Sequence, residues 1–182
     1  MNVILESLYL MLPVYIAEMS PVFASYLPWP ATPVDNGASW RGKRILGDHK
    51  TYRGLIVGLI VAIVIVFIQH SLDHIAFFDA AGIIDYGALQ LRQVTLIGLM
   101  LGGGAFVGDM IKSFFKRRVG IAPGKAWIPF DHIDSTIGAL IAALFIVDLS
   151  CAHIIVILIA NPLLHVLANV VGYMMKVRKT PL

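Results

Sequence analysis

The chain has 182 residues, of which 58% are hydrophobic and only 14% are charged, with a mean hydropathy of +0.82 and a formal net charge of +3. Soluble domains carry roughly 25% charged residues, so this composition excludes an ordinary soluble enzyme and favours a membrane protein. The single cysteine, Cys151, excludes an internal disulfide. No linker separates the apolar segments, so residues 1–182 are predicted to form one membrane-embedded domain.

Five apolar segments alternate with polar stretches and are predicted to be transmembrane helices. They are Val3–Tyr26, Gly54–Gln69, Val94–Gly108, Ser135–Leu149 and Ala152–Met175. The middle three are shorter than the about 20 residues that span a bilayer, so they are expected to extend into their polar flanks. The first segment follows no basic region and is expected to be retained, not cleaved as a signal peptide. The predicted fold is an all-α, multi-pass integral membrane protein of the cell membrane.

The basic residues are distributed unevenly among the connections. Thirteen of the 14 lie between the first two segments, between the third and fourth, or after the fifth, and only Arg92 falls elsewhere. Because Lys and Arg concentrate on the cytoplasmic side, the N-terminus is predicted to be outside and the C-terminus cytoplasmic. The two polar loops then share the cytosolic face, where they are expected to form the active site.

The first polar loop, residues 30–54, mixes turn-forming glycines with cations. Turns expose backbone N–H groups that bind phosphate oxygens when lysines stand nearby. The candidate binding residues in this loop are Asn36, Gly37, Lys43, Arg44, Asp48 and Lys50. The same cations would serve a loop that only contacts anionic lipid, although that role does not require the interleaved acidic residues.

A second group of charged residues follows the third segment. If that segment continues as a helix, Asp109, Lys112, Ser113 and Lys116 fall at i, i+3, i+4 and i+7 on one face, with Arg117 beside it. Lys and Arg neutralise phosphate oxygens, and a carboxylate such as Asp109 can hold a metal directly or through water. This stripe therefore suits a polyphosphate.

Two further carboxylates, Asp131 and Asp134, stand near the start of the fourth segment. Their i, i+3 spacing puts both on one helical face, close enough to share a Mg²⁺ ion, which is typically held by one or two carboxylates plus phosphate oxygens. Acidic residues at a helix N-terminus also act as plain capping groups. Both interpretations remain open at this point.

Some polar residues lie within the apolar segments. Asn161, His165 and Asn169 recur every four residues, which indicates either a wet cavity or hydrogen bonds between packed helices. Glu18 likewise indicates a polar cavity. Close helix approach is predicted at three glycine pairs, which are Gly54/Gly58, Gly98/Gly102 and Gly104/Gly108.

These motifs carry a family resemblance. The run GDMIKSFFKRRVGIAPG followed by PFDHID resembles the Ser-x-x-Lys-Arg…Asp-x-x-Asp region of the integral-membrane cytidylyltransferases, the CDP-diacylglycerol synthase superfamily. The loop DNGASWRGKRILGDHKTYRG and the end NPLLHVLANVVGYMMKVRKTPL are similar to the archaeal branch. The resemblance covers nearly the whole chain. It departs from the family pattern at His49 and His132, where Gly and Gln are usual.

The resemblance implies a reaction. The phosphate of an archaeal ether lipid, 2,3-bis-O-geranylgeranyl-sn-glycerol 1-phosphate, would attack the α-phosphorus of CTP, giving CDP-archaeol and pyrophosphate with Mg²⁺ required. Because this nucleophile is already an anion, positioning and charge neutralisation are expected to dominate. The expected partners are CTP and a lipid phosphate from the bilayer. No nucleic acid is expected, and a homodimer is left open.

The resemblance also implies roles for the candidate residues. Asp131 and Asp134 are expected to hold Mg²⁺, with Asp109 helping. Contacts with the triphosphate and the leaving pyrophosphate are expected from Lys112, Lys116 and Arg117, with Ser113 on the same face. CTP or the lipid phosphate is expected to contact Lys43, Arg44 and Lys50, in a pocket shaped by Asn36, Gly37 and Asp48. The catalytic set is Asp131, Asp134, Lys116 and Arg117.

Two alternatives differ in class. A CDP-alcohol phosphotransferase also works at a membrane face with paired carboxylates, but it requires a D-G-x-x-A-R segment leading to nearby Asp residues. Here the nearest string is DNGASWRG, and Asp131 lies far beyond it. The other alternative is a small transporter or scaffold whose loops only bind anionic lipid, in which no single carboxylate would be required.

Overall fold

The computed structural model describes residues 2–122, 125, 127 and 130–174, without the side chains of residues 20–23, 132, 165 and 168–173. In chain order its helices and strands are α1 (Val3–Ala24), β1 (Ser39–Trp40), β2 (Lys43–Arg44), α2 (Tyr52–Leu72), α3 (Ala76–Ala81), α4 (Leu91–Arg118), α5 (Asp134–Ala143) and α6 (Cys151–Met174). A 3₁₀ turn, Phe130–His132, precedes α5. The predicted, mostly helical character is confirmed.

A helix lies in each of the five predicted apolar segments, but several boundaries differ. Helix α4 continues ten residues beyond the predicted Gly108, so the stripe from Asp109 to Lys116 does lie on a helix. Helix α5 ends at Ala143 instead of Leu149, because the Phe145 N–H group turns back to the Ala142 carbonyl. The predicted end of the last segment, Met175, lies outside the described residues, as do the C-terminal cations Lys176, Arg178 and Lys179.

The expectation of an all-α fold needs one correction, because strands β1 and β2 form an antiparallel hairpin in the first polar loop. Ser39 pairs with Arg44 and Trp40 with Lys43. The two residues between the strands, Arg41 and Gly42, have φ values of 52° and 73°. Two central residues with positive φ make the turn that matches the twist of paired strands, so a short hairpin is favoured here.

Two helices in the described part of the chain are long and apolar enough to cross a membrane. They are α2, Tyr52–Leu72, and α4, Leu91–Arg118. Shorter apolar stretches occupy Asp134–Ala143 and Cys151–Leu164. Thr51 caps α2 by accepting a hydrogen bond from the Gly54 N–H group at 3.2 Å, and Gln90 and Gln93 form a reciprocal capping box at the start of α4.

The buried core is formed where α1 packs against α2, α4 and α6. Its fully buried side chains include Leu10 and Met11 of α1, Val66 of α2 and Leu101 of α4. On the outer surface of the same helices many large apolar side chains are exposed, among them Ile60 of α2, which is 52% exposed. Apolar side chains on the outer surface are what a bilayer environment requires.

Buried polar groups also connect the helices. The Glu6 carboxylate of α1 is 1% exposed and contacts His153 Nε2 of α6 at 2.8 Å, so this acid lies between helices and not on a loop. Asn161 donates to the Thr136 hydroxyl of α5, which supports the helix-packing interpretation for that residue. The side chains of His165 and Asn169, predicted to continue the same stripe, lie outside the described part of the structure.

Glycines bring α4 into direct contact with its neighbours. A Cβ atom at Gly98 would lie 2.6 Å from the Ile63 backbone of α2, and one at Gly102 would lie 2.8 Å from the Ala62 Cβ atom. On the side of α5, a Cβ atom at Gly108 would overlap the carbonyl oxygen of Asp134, and one at Gly138 that of Gly104. The predicted close approach is therefore present at Gly98, Gly102 and Gly108, whereas the contact at Gly138 was not predicted. The contacts of Gly108 and Gly138 set the separation between α4 and α5.

We expect Gly104→Ala to lower the thermal unfolding midpoint in detergent, whereas Gly103→Ala should not. A Cβ atom at Gly104 would lie 2.5 Å from the Gly138 carbonyl oxygen, while one at Gly103 would meet nothing closer than 4.0 Å. Overpacking typically costs about 1–3 kcal/mol, and Ala favours a helix over Gly by up to about 1 kcal/mol. Equal midpoints for the two variants would contradict the close α4–α5 contact.

Candidate active site

A polar cavity of about 260 Å³ lies between α1, α2, α4, α5 and the loop that precedes α2. Five of the predicted site residues line it, namely Lys50, Asp109, Lys112, Asp131 and Asp134. The three carboxylates and two lysines come from α4, the start of α5, the turn before it and the first polar loop. Packing between distant parts of the chain therefore assembles this cluster.

The Lys112 ammonium group is the centre of the cluster. Its Nζ atom lies 3.2 Å from Asp109, 2.9 Å from Asp131 and 2.8 Å from Asp134, each distance measured to a carboxylate oxygen. Lys112 and Asp109 are one turn apart on α4, whereas the other two acids come from the facing segment. Three carboxylates thus surround one cation, so a second cation could bind to them if an anion drew the lysine away.

Lys116 extends the cluster by one turn of α4. Its Nζ atom donates to both oxygens of Asp131 at 2.9 Å and to the Lys125 carbonyl at 2.6 Å. Asp131 also accepts the Trp127 N–H group at 2.5 Å. Burial raises the pKa of the Asp131 carboxyl, but hydrogen bonds from Lys112, Trp127 and Lys116 outweigh burial and lower that pKa to about 2. Asp131 is therefore ionised at neutral pH.

Lys50 joins the first polar loop to the cluster. Its ammonium group forms an ion pair with Asp109, and the loop is closed at its base by the Val34 N–H group, which donates to the Lys50 carbonyl at 2.7 Å. The neighbouring His49, one of the two departures from the family pattern, also lines the cavity. Lys50 is thus the cation of this loop that reaches the carboxylates.

Glu18 of α1 lines the same cavity, as its position in an apolar segment had indicated. It is hydrogen-bonded to Ser135, and its Oε1 atom is buried with no hydrogen-bond partner among the described residues. Neither Glu18 nor Ser135 was among the predicted site residues. The sequence signal for Glu18 was a carboxylate inside an apolar helix, whereas nothing in the local sequence distinguishes Ser135.

Another cation of the first loop, Arg44, is used inside the loop. The Arg44 guanidinium contacts Asp35 and Asp48, each at 2.7 Å. Asp35 also accepts the N–H groups of Gly37, Leu46 and Gly47. Burial raises the pKa of Asp35, but the Arg44 contact and these backbone donors outweigh it and hold that pKa well below its usual range.

Four other predicted residues lie outside the cavity wall. Lys43 donates to the Arg118 carbonyl at 2.9 Å. Asn36 and Gly37 form a turn with φ values of 46° and 82°. Ser113 is only 4% exposed on α4. Their predicted contacts with a substrate remain predictions.

Arg117 is also buried, at 7% exposed, and its Nε and Nη1 atoms find no hydrogen-bond partner among the residues that the structure describes. Buried donors of this kind are costly unless something pairs with them. Arg117 therefore has free donor capacity for an anion.

An apolar groove of about 670 Å³ lies between α4 and α5, beside the polar cavity. Its walls include Phe115 of α4 and Ile137 and Ile141 of α5. Lys112 and Asp134 line both the groove and the cavity. An amphiphile could therefore keep its apolar part in the groove while its charged head contacts the cluster.

The donor set fits Mg²⁺ chemically. Carboxylate oxygens are hard ligands, and Mg²⁺ usually takes one or two of them together with phosphate oxygens and water. Among the residues that the structure describes, no three His, Cys, Asp or Glu side chains are grouped closely enough to hold a metal unaided. Here Lys112, together with Lys50 and Lys116, already pairs with the three acids, so a divalent ion would require these ammonium groups to take other partners.

Comparisons with known proteins agree with this chemistry. The model of the CarS-like family, CDP-archaeol synthase, matches residues 1–182. CDP-archaeol synthase of Methanosphaerula palustris is 37% identical over 171 residues, which cover 86% of this chain and 98% of the relative. CDP-archaeol synthase of Pyrococcus abyssi is 36% identical over 182 residues, which cover 100% of this chain and 99% of the relative. A solved structure reported as structural insight into an intramembrane enzyme for archaeal membrane lipids biosynthesis superposes with a TM-score of 0.71 at 30% identity, covering 91% of this chain and 94% of the other.

Lysines and carboxylates around one cavity of a helical membrane protein define its class. It is an intramembrane enzyme that acts on phosphates. Within that class the chain belongs to the CarS-like family of CDP-archaeol synthases. The resemblance drawn from the Ser-x-x-Lys-Arg and Asp-x-x-Asp motifs is thereby confirmed, and so is the expectation of a cytidylyltransferase of lipid biosynthesis.

Proposed function

We propose that this chain transfers the cytidylyl group of CTP to 2,3-bis-O-geranylgeranyl-sn-glycerol 1-phosphate, giving CDP-archaeol and pyrophosphate. The observation that carries the proposal is the Lys112 ammonium group held among Asp109, Asp131 and Asp134, in a cavity next to an apolar groove. A triphosphate needs cations, a metal needs carboxylates, and a lipid needs an apolar path. All three requirements meet within this one region.

The reaction follows from the charges of the cluster. An oxygen of the lipid phosphate forms a bond to the α-phosphorus of CTP, and the bond from that phosphorus to the bridging oxygen breaks, releasing pyrophosphate. Lys112, Lys116 and Lys50 exchange their present carboxylate partners for phosphate oxygens and neutralise charge on the leaving group. Arg117, two of whose nitrogens have no partner in the described part of the chain, supplies further donors.

We further propose that Asp109, Asp131 and Asp134 hold Mg²⁺ once the lysines turn to the triphosphate. The ion would neutralise the phosphate oxygens on which charge develops. In the first loop, Asp35 and Arg44 maintain the fold, while Asn36, Gly37, Lys43 and Asp48 shape its surface. The apolar chains of the lipid stay in the bilayer, and the groove beside Asp134 offers the phosphate one route to the cavity.

We also propose that helices α1, α2, α4, α5 and α6 cross the membrane, with the N-terminus outside and the cavity facing the cytosol. The support is the uneven distribution of basic residues and the broad apolar exposure of the helices. The turns that follow Ala143 lengthen this element beyond its ten helical residues.

Cysteine labelling of intact cells tests this topology. With Cys151 replaced, a cysteine at Ser39 should react with an impermeant maleimide only after the membrane is opened, because the hairpin is expected to be cytosolic. A cysteine at Ala88, which is exposed between α3 and α4, should react in intact cells. Ser113 is unsuitable because it is only 4% exposed. The reverse labelling pattern would invert the orientation.

Product analysis tests the proposed activity. Purified protein incubated with CTP, Mg²⁺ and the ether-lipid phosphate should release pyrophosphate and form a CDP-lipid in equal amounts. Omitting the lipid phosphate should abolish both products. Formation of CMP from a CDP-lipid and an added alcohol would instead indicate a CDP-alcohol phosphotransferase. Absence of any nucleotide chemistry would favour the transporter or scaffold.

A further inference from the structure

Arg118, the last residue of α4, contacts the hairpin of the first polar loop. We infer that Arg118 is a positioning residue that holds this loop against α4 and thereby keeps Lys50 and His49 at the cavity. The inference rests on the proposed function for its catalytic consequence, but the clamp itself is a property of the protein without substrate.

The first support is a set of hydrogen bonds to the hairpin backbone. The Arg118 guanidinium donates to the carbonyl oxygens of Trp40 at 2.5 Å, Lys43 at 3.1 Å and Arg44 at 2.5 Å. In return the Lys43 ammonium donates to the Arg118 carbonyl at 2.9 Å. A planar guanidinium presents several donors in a fixed fork, and a lysine cannot reproduce such a set of contacts.

The second support is aromatic packing around the same side chain. The guanidinium carbon of Arg118 lies 5.3 Å from the Trp40 ring centroid and 5.0 Å from that of Phe114. Trp40 of the hairpin stacks on Phe114 of α4, with centroids 5.7 Å apart and planes inclined by 21°. Cation–π contact and stacking therefore join the hairpin to α4 in addition to the hydrogen bonds.

A chain of contacts leads from this clamp to the cavity. The hairpin strand that Arg118 holds includes Arg44, whose side chain binds Asp35 and Asp48. The loop then returns to Lys50, which forms the ion pair with Asp109. The loop is thus fastened to α4 at two points, Asp109 within the cavity and Arg118 at the helix end. When a triphosphate takes Lys50 from Asp109, Arg118 remains to hold the loop.

Arg118 is bound to backbone carbonyls and lies outside the wall of the cavity. It is therefore expected to act through the loop and not by touching the nucleotide. Losing it should raise the KM for CTP more than it lowers kcat, because the chemical groups on α4 and α5 stay in position while the loop that carries Lys50 and His49 becomes mobile.

Hydrogen exchange on the purified full chain tests the clamp without any substrate. Within the loop, the Ile45 N–H group donates to Ala38 at 3.0 Å, and the Leu46 and Gly47 N–H groups donate to Asp35. In Arg118→Ala these amides should exchange at least about tenfold faster, since bonds from a charged donor are among the strongest in proteins. Arg118→Lys should give nearly the same result.

Arg53→Ala is the matched control, because Arg53 also donates to two carbonyls, those of Leu27 and Trp29, outside the hairpin. It should leave exchange of the three loop amides unchanged. Unaltered exchange in Arg118→Ala would overturn the clamp. Faster exchange with unchanged KM and kcat would overturn its role in catalysis.

A double substitution separates positioning from direct nucleotide contact. Trp40→Ala combined with Arg118→Ala should raise the KM for CTP no more than Arg118→Ala alone, because both act on one clamp. Fully additive losses would mean that Trp40 and Arg118 act independently, and a raised KM with normal loop exchange would mean that Arg118 contacts the nucleotide. Either result would overturn the inference. If the wild type forms no CDP-lipid at all, the proposed function fails, while the exchange experiment still judges the clamp.

Discussion

Asp134→Asn should lower kcat by about a thousandfold and leave the protein folded. Asp134 lies in the first turn of α5, and its carboxylate contacts Lys112 at 2.8 Å. Asn keeps the size of the side chain and can still cap a helix, so the substitution separates capping from metal binding. Loss of a metal ligand beside a triphosphate removes several kcal/mol of transition-state stabilisation, which corresponds to this rate loss. Asp131→Asn should behave similarly.

The comparison for these variants is Asp85→Asn, the same substitution at an exposed site outside the cavity, where Asp85 accepts the Ala88 N–H group. Its kcat should equal that of the wild type. Excess Mg²⁺ or Mn²⁺ should partly rescue one of the two single variants but not Asp131→Asn combined with Asp134→Asn. Near-normal turnover of both single variants at ordinary Mg²⁺ would mean that these acids only stabilise the start of α5 and do not bind a metal.

Lys112→Met should lower kcat/KM for CTP by about a hundredfold, since a charge-assisted phosphate contact contributes about 1.5–3 kcal/mol. The structure adds a second expectation. Without the ammonium group, Asp134 loses its cation partner, whereas Asp109 keeps Lys50 and Asp131 keeps Lys116. The cluster then carries one positive charge less, so a divalent cation should bind there more readily. Mg²⁺ without nucleotide should therefore raise the unfolding midpoint of Lys112→Met more than that of the wild type.

Lys125→Met is the control for this prediction, because only the backbone carbonyl of Lys125 contacts the cluster. It should keep the activity and the Mg²⁺ response of the wild type. If Lys112→Met loses activity but gains no stability from Mg²⁺, the three carboxylates do not form a cation site.

The sequence predicted the helices better than the segments between them. Apolar length located a helix in each of the five segments, and the i, i+3, i+4, i+7 pattern placed Asp109 and Lys112 on one face of α4. The early end of α5 at Ala143 could not be predicted, because the apolar residues from Leu144 to Val147 are compatible with a helix and form turns here. The hairpin depended on two residues with positive φ, Arg41 and Gly42, of which only the glycine signals such a turn.

The candidate site was predicted in composition but not in arrangement. Local spacing put the acids and lysines in the right segments, yet the convergence on Lys112 depends on how closely α5 approaches α4 at Gly108 and Gly138. Lys50 and Arg44 cannot be told apart in the sequence as cations of the same loop. Only Lys50 contacts the cluster, because Arg44 forms an ion pair with Asp35, which is buried in the loop. Contacts between distant parts of the chain decide such choices, and no local pattern encodes them.

The position of the phosphate label after reaction tests the central claim most directly. Wild-type protein supplied with the ether-lipid phosphate, Mg²⁺ and CTP labelled at the α-phosphate should put the label into the lipid product, and CTP labelled at the γ-phosphate should put it into pyrophosphate. Asp134→Asn, folded to the same midpoint, should transfer either label about a thousandfold more slowly. Transfer of the γ-label to the lipid, or equal α-label transfer by Asp134→Asn, would contradict cytidylyl transfer at this cavity.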